Sequence, residues 1–343
     1  MLTVIVILFV VIAVFCFVIP GRENSGFMNR TNTDFIKGIS ILMIMIAHIS
    51  VQMGDSGKLI GGGYIQGIVN SWGGVGVAIF FFLSGYGNYF SIKKSYASRK
   101  IKNVFFWLFH RIVRLIVVFV FCLTVTVLVA KLIKPEMYNF QDYFYNLITL
   151  KMPGTSTWYL KIQIMLYFFI TISTIWGNKK ISLWVGILTA IYVFVASTLL
   201  EMPDYWWKTA MCFSAGIFIS ENKDCVEKWI TSHKVISILA MICCSAFAYG
   251  YILLAHGYWV IPQCVAFILL SSGVCVVITC LNPCGRPFGW MRSITLELYL
   301  MHIGILAVFV YPRCSNISLI IYLLLSVTLS WLIRVLTVRL LRQ

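Results

Sequence analysis

Apolar residues along this chain fall into long blocks broken by short charged or glycine-rich segments. The blocks lie near residues 2–19, 35–53, 73–92, 104–130, 158–176, 181–200, 206–220, 235–254, 260–280, 293–311 and 316–337. Most are apolar all round instead of along one stripe, which is the pattern of helices surrounded by lipid or buried on every side. A span needs about 20 apolar residues, so the pattern predicts an all-α polytopic bundle of about 11 spans, with ten core helices and one extra helix at the N-terminus. In domain terms, residues 1–20 are expected to form a membrane anchor helix and residues 34–338 the main membrane domain.

Composition narrows the class. Of 343 residues, 60% are hydrophobic and 11% charged, whereas soluble proteins carry about 45–50% apolar and about 25% charged residues. Low charge with abundant aromatics also excludes disordered and collagen-like chains. The net charge of +16 would suggest nucleic acid in a soluble protein, but in a membrane protein it first suggests basic cytoplasmic loops. With the N-terminus outside and every span alternating, only Lys58, Lys131, Lys134, Lys151, Lys161, Lys208 and Arg313 fall outside, seven of the 27 Lys and Arg. This asymmetry predicts a multi-pass membrane protein with an outer N-terminus, a cytoplasmic C-terminus and no nucleic-acid partner. The positive inner face also suits anions.

Two features are read against alternatives. The first block lacks a positive leading region and a small-residue cleavage pattern before Pro20-Gly21, so it is expected to be a retained anchor and not a signal peptide. The eleven cysteines lie mostly inside apolar blocks and act there as small hydrophobes. Cys280 and Cys284 have no histidine or second pair nearby, so no metal site is expected.

Ionisable and polar residues inside spans are costly and point to function. In the second block, eleven residues at about 100° each bring His48 back to within about 20° of Lys37 and about 16 Å deeper, with Asp34 on the same face. A neutral imidazole near mid-membrane can take a proton from an alcohol as a general base. The alternative is a capping Asp34, a snorkelling Lys37 and a structural histidine. In the tenth block, Thr295, Tyr299 and His302 follow the i, i+4, i+7 spacing of one helix face, while Glu297 points elsewhere and needs a partner within the bundle. Tyr299 and His302 either orient a substrate or His48, or bridge helices. In the fourth block, Arg111 and Arg114 at i, i+3 share a face near the cytoplasmic boundary, suited to bidentate phosphate bonds or to lipid anchoring. Ser84, Gly85, Tyr86 and Gly87 close the third block, where small residues would admit a ligand.

The stretches 54–76 and 134–157 are the longest expected extracytoplasmic segments, with Tyr64, Trp72, Tyr138, Tyr143, Tyr145 and Pro153. Their aromatics suit either an interfacial belt or stacking on sugar rings. Trp206, Trp207 and Glu201 near the outer mouth have no assigned role.

Five segments in order, DFIKGISILMIMIAH (34–48), GVAIFFFLSGY (76–86), HRIVR (110–114), TWYL (157–160) and ITLELYLMH (294–302), resemble the acyltransferase-3 family of integral membrane acyltransferases, which commonly O-acetylate bacterial glycans. The family's basic residue and histidine with ten residues between them map to Lys37 and His48, with lysine where arginine is usual, which loses the bidentate fork. Its paired arginines map to Arg111 and Arg114, its aromatic start of the fifth span to Trp158 and Tyr159, and its late histidine to His302. The resemblance implies that Arg111 and Arg114 hold acetyl-CoA as acyl donor, with no tightly bound cofactor. Asp34, Lys37 and His48 would form the catalytic group, and Ser84, Tyr86, Trp158, Tyr159, Tyr299 and His302 would meet the substrate. Two departures are the extra helix 2–19 and an end at Gln343 without the hydrolase-like extracytoplasmic domain of some members, so transfer is expected to finish within the bundle or on a separate protein.

The expected function is transfer of an acyl group, acetyl first among candidates, from cytoplasmic acyl-CoA to a hydroxyl of a cell-surface glycan or lipid-linked precursor. The competing class is a transporter of a small solute such as an amino acid, since polar residues at mid-depth also build a substrate path. Arg111 and Arg114 discriminate, because a neutral solute needs no phosphate clamp.

Overall fold

The computed structural model describes residues 2–18, 27–53, 62–97, 100–133, 139–153, 157–177, 180–254, 259–283, 286–309 and 315–342. Pro20-Gly21, Arg22, Lys58, Arg99, Lys134, Tyr138, Lys179, Cys284 and Arg313 of the sequence reading lie outside them, as do the side chains of Tyr64, Arg286 and Arg342. The described chain is helical: α1 (Leu2–Val18), α2 (Arg30–Met53), α3 (Gly62–Tyr96), α4 (Ile101–Ile133), α5 (Phe140–Thr149), α6 (Trp158–Trp176), α7 (Ile181–Phe194, extended by a π turn Val195–Leu199), α8 (Met211–Glu221), α9 (Lys223–Ser232), α10 (Lys234–Leu254), α11 (Val260–Leu281), α12 (Arg286–Gly289), α13 (Thr295–Phe309) and α14 (Asn316–Arg342). Among the described residues, nine helices are long and apolar enough to cross a membrane, and α1 is a shorter apolar one.

The predicted bundle is therefore present, with three local differences. The span expected at 206–220 is a 3-10 turn at Asp204–Trp206 followed by α8, whose 11 residues rise only about 16 Å against a hydrocarbon core of about 30 Å. The segment expected as an outer loop up to residue 76 is helical from Gly62 onward, because α3 runs for 35 residues. The stretch 134–157 carries α5, an amphipathic helix capped by Asn139, whose side chain accepts from the Asp142 N–H while Asp142 accepts from the Asn139 N–H.

Close contacts fix the directions. α2 and α3 are antiparallel, since a Cβ on Gly76 would strike Ile44 and Ser40, Gly73 faces Ala47, and Gln66 donates to the Ser50 carbonyl. α3 and α8 run parallel with their backbones touching: a Cβ on Gly85 would lie 2.0 Å from the Phe213 carbonyl oxygen, and one on Gly216 would lie 2.1 Å from that of Phe82. Only glycine allows this approach, and Ser220 Oγ adds a hydrogen bond to the Tyr86 carbonyl. Thus Gly85 admits a helix, while Gly87, with nothing within 4 Å of a built Cβ, opens onto a cavity. α13 runs parallel to α2, since Arg292 meets Asp34 at one end and His302 meets His48 farther along. One end of the bundle therefore holds the start of α2 and the end of α3, with Lys37, Lys93 and Arg292, and is here called the basic end. The far end holds Asp204 and Lys208.

α1 lies against this core through aromatic edges, Phe9 on Trp72 and Phe288, and Phe17 on Phe35. Most of its remaining apolar side chains are exposed, as are those of α10, which is what lipid-facing helices require.

Candidate active site

The site is assembled where α2 and α13 touch. His302 is fully buried, and its Nδ1 lies 2.9 Å from the Leu298 carbonyl oxygen one turn back. A carbonyl can only accept, so Nδ1 carries the proton and Nε2 is left with a lone pair. His48 Nδ1 lies 2.8 Å from that Nε2. In the neutral pair His48 Nδ1 therefore donates to His302, and His48 Nε2 presents the free lone pair. The rings stack at 5.0 Å and 27°. His48 keeps partial exposure while His302 has none, so the basic nitrogen belongs to the accessible member. His48 sits five residues before the end of α2 at Met53, closer to the far end than the expected mid-depth.

An aromatic wall joins this pair to the basic end. Tyr299 lies 5.8 Å from the His302 ring, Tyr159 lies 4.8 Å from Tyr299, and Phe81 lies 4.8 Å from Tyr159. Trp158 turns away to Tyr205 at 5.8 Å. The start of α6 is held by Thr157, in a left-handed conformation with its hydroxyl donating to the Leu150 carbonyl.

Tyr159 also lines a cavity of about 350 Å3 reaching toward the basic end, together with Lys37, Ser84, Asn88, Arg111, Arg114, Tyr167 and Thr295. Among the described residues, three cations and no carboxylate line it, which is the charge pattern of an anion site. Arg111 is held in place: its Nη2 donates to Ser91 Oγ at 3.0 Å, and its guanidinium lies 5.5 Å from the Trp107 ring. Trp107 Nε1 donates to the same Ser91 hydroxyl. Ser84 Oγ accepts from Asn88 at 3.0 Å, and among the described residues no histidine lines the cavity beside it.

Lys37, Leu83 and Gly87 also line a second cavity of about 500 Å3, which adds Arg30, Tyr86, Arg292 and Arg334 around Asp34. Asp34 is paired with Arg292 and lies 4.0 Å from Arg30. It is thus fourteen residues, about 21 Å of helix rise, from His48. The structure brings His48, His302, Tyr299 and Tyr159 together and gathers Lys37, Arg111 and Arg114 around one cavity, while Asp34 and Tyr86 belong to the adjoining one. Glu297 finds its partner in Arg334 of α14, at 3.7 Å.

Sequence reasoning missed Arg30, Arg292 and Arg334 as cavity residues. It counted all three only as inner-side charges, and that shared side was the available signal. Of the residues near the outer mouth, Trp207 donates through Nε1 to the Met202 carbonyl, and the backbone carbonyl of Trp206 accepts from Tyr192. Glu201 is exposed with φ 46° in the turn.

A family model described as an acyltransferase domain matches residues 30–335. The chain belongs to the acyltransferase-3 family. No curated protein and no solved structure matches it. Family membership and the long apolar helices make it a multi-pass membrane acyltransferase, the first of the two classes weighed from the sequence. The match begins at the start of α2, so α1 stands outside it.

Proposed function

We propose that this acyltransferase takes an acyl group, acetyl first among candidates, from cytoplasmic acyl-CoA and transfers it to a hydroxyl of a cell-surface glycan or its lipid-linked precursor. One observation carries the reading. A cavity whose described lining holds Lys37, Arg111 and Arg114 and no carboxylate shares Tyr159 with a run of ring contacts, through Tyr299, to a histidine pair whose outer member has a free basic nitrogen. CoA is an anion with a long neutral arm ending in a thioester, and this arrangement suits both parts. The arginines would hold phosphate oxygens through charge-assisted hydrogen bonds, and the neutral arm would run along the wall of Asn88, Ser84 and Tyr159. Arg292 and Arg334 in the adjoining cavity extend the positive surface toward the remaining phosphates.

In this mechanism His48 Nε2 takes the proton of the acceptor hydroxyl as its oxygen attacks the thioester carbonyl. The C–O bond forms, the C–S bond breaks, and the CoA thiolate leaves with the proton returned from His48. His302 fixes the tautomer and orientation of His48, and its own Nδ1 keeps its proton, donating it in a hydrogen bond to the Leu298 carbonyl. Asp34 and Lys37, first read as members of the catalytic group, act here on charge at the basic end. This end would face the cytoplasm of a bacterial inner membrane, with the N-terminus outside, as the excess of Lys and Arg on that side supports.

The test is transfer of radiolabelled acetyl from acetyl-CoA into glycan or lipid-linked material in membranes containing the protein, beside equally abundant His48→Ala protein. Label that depends on His48 supports the reading. Label of equal amount from both proteins overturns the mechanism.

A further inference from the structure

A third cavity, about 550 Å3, opens at the far end between the first half of α3, the end of α10 and the start of α11. It shares no lining residue with the cavities at the basic end. Its volume falls within the range of about 300–1,000 Å3 typical of ligand pockets. Its charges cancel: Lys208 Nζ lies 2.7 Å from Asp204 Oδ2, and the lysine also lies 5.8 Å from the Phe267 ring. Two amide oxygens in the lining are buried without a hydrogen-bond partner, Asn70 Oδ1 and Gln263 Oε1, and Gln263 is 6% exposed. Carbonyl oxygens accept only, so the missing partners are donors, and a buried acceptor left unsatisfied is destabilising. A neutral cavity with two orphan acceptors, an ion pair at one side and an aromatic face calls for a neutral ligand rich in hydroxyls with apolar C–H faces.

The cavity also reaches the level of the histidine pair. Gly74 lines it, with a built Cβ 3.3 Å from Phe267, while its neighbour Gly73 faces Ala47, the residue beside His48. At this point α3 presents two glycines without side chains, Gly73 toward α2 and Gly74 toward the cavity.

We propose that this cavity is the acceptor subsite and takes a sugar ring, with Asn70 Oδ1 and Gln263 Oε1 accepting from its hydroxyls and Phe267 beneath its C–H face. This assignment rests on the acyl-transfer reading above. The acyl donor then approaches from the basic end and the acceptor from the far end, and the two meet at His48.

Gly67 lines the cavity and has open space where a Cβ would stand, so Gly67→Cys places a thiol there without a clash. Membranes carrying Gly67→Cys are assayed before and after reaction with pyrene maleimide, with wild-type membranes treated alike to account for native cysteines. The readouts are labelled acetyl entering the membranes' own glycan and lipid-linked material, and equilibrium binding of acetyl-CoA. The proposal expects the modified variant to lose at least nine-tenths of its transfer while acetyl-CoA binding is unchanged and wild-type transfer survives. Gln263→Leu and Asn70→Leu are expected together to raise the acceptor KM about tenfold, as two lost hydrogen bonds would. Full transfer by the modified variant, with mass spectrometry confirming the adduct on the introduced thiol, overturns the subsite while leaving glycan acylation standing. Wild-type label that depends on His48 but appears on a lipid or protein overturns the glycan reading and the sugar assignment with it.

Discussion

His48 Nδ1 and His302 Nε2 lie 2.8 Å apart although 254 residues separate them in the chain, and the Leu298 carbonyl decides which of the two carries which proton. The outer nitrogen of His48 is thereby left as the base. His48→Ala is expected to lower transfer by about 10²–10⁴-fold, the usual contribution of a general base. His302→Ala keeps the base but loses its orientation, and a fall of about 10–100-fold in kcat is expected, as when other orienting partners are removed. His302→Gln, whose amide oxygen can accept from His48 Nδ1, should recover part of it. Initial rates at equal protein abundance, with acetyl-CoA affinity measured separately, check the series. A His302→Ala enzyme with wild-type kcat would show that the pair only bridges helices.

Arg111 and Arg114 enclose one cavity with Lys37. Charge-assisted hydrogen bonds contribute about 1.5–3 kcal/mol each, so Arg111→Ala and Arg114→Ala are each expected to raise the KM for acetyl-CoA about 10–100-fold with little change in kcat. Arg111→Lys should restore only part of the affinity, because an ammonium cannot form the planar fork. Comparing acetyl-CoA with its dephospho form, which lacks the ribose phosphate, shows which arginine meets which phosphate. A discrimination ratio unchanged in every variant would place that phosphate elsewhere, with Arg292 and Arg334 as the next residues to vary.

What the sequence made legible was local. Helix periodicity placed Lys37 and His48 on one face of α2, and Thr295, Tyr299 and His302 on one face of α13, because both relations follow from rise and angle alone. The alignment of Arg111 with Arg114 is of the same kind. The contacts that give these stripes meaning are long-range: His48 to His302, Asp34 to Arg292, Glu297 to Arg334. Periodicity says which way a side chain points but not which helix stands opposite. Hydropathy likewise found the long spans but overestimated α8, because the apolar Trp206, Trp207 and Ala210 that precede it lie in a 3-10 and turn segment outside the α-helix. α5 and α9 escaped because ten-residue amphipathic helices produce no long apolar block.

Backbone contact between α3 and α8 gives a prediction independent of the chemistry. Gly85→Ala and Gly216→Ala each place a methyl about 2 Å from a carbonyl oxygen of the facing helix, and relieving such overpacking costs about 1–3 kcal/mol or more. Both variants are expected to unfold at lower temperature in detergent than wild type. Gly87→Ala, two residues along but facing open space, should retain its Tm. Equal Tm values for all three would mean that α3 and α8 stand farther apart than described.

Glu297 is 2% exposed, and the nearest cation it meets is Arg334, at 3.7 Å from the facing helix α14. The distance is too long for a strong hydrogen bond, but the pair still neutralises a carboxylate that burial would otherwise isolate. Removing one partner of a buried pair costs about 3–5 kcal/mol, much of it from the charge left behind. Arg334→Leu is therefore expected to lower Tm markedly, and Glu297→Gln added to it should restore most of the loss, because a neutral amide needs no counter-charge. Arg334 also borders the basic cavity, so the double variant separates its two roles: if stability returns while acetyl-CoA affinity stays low, Arg334 serves both the pair and the donor. If Arg334→Leu weakens acetyl-CoA binding without moving Tm, the ion pair contributes nothing to stability and the arginine belongs to the donor site alone.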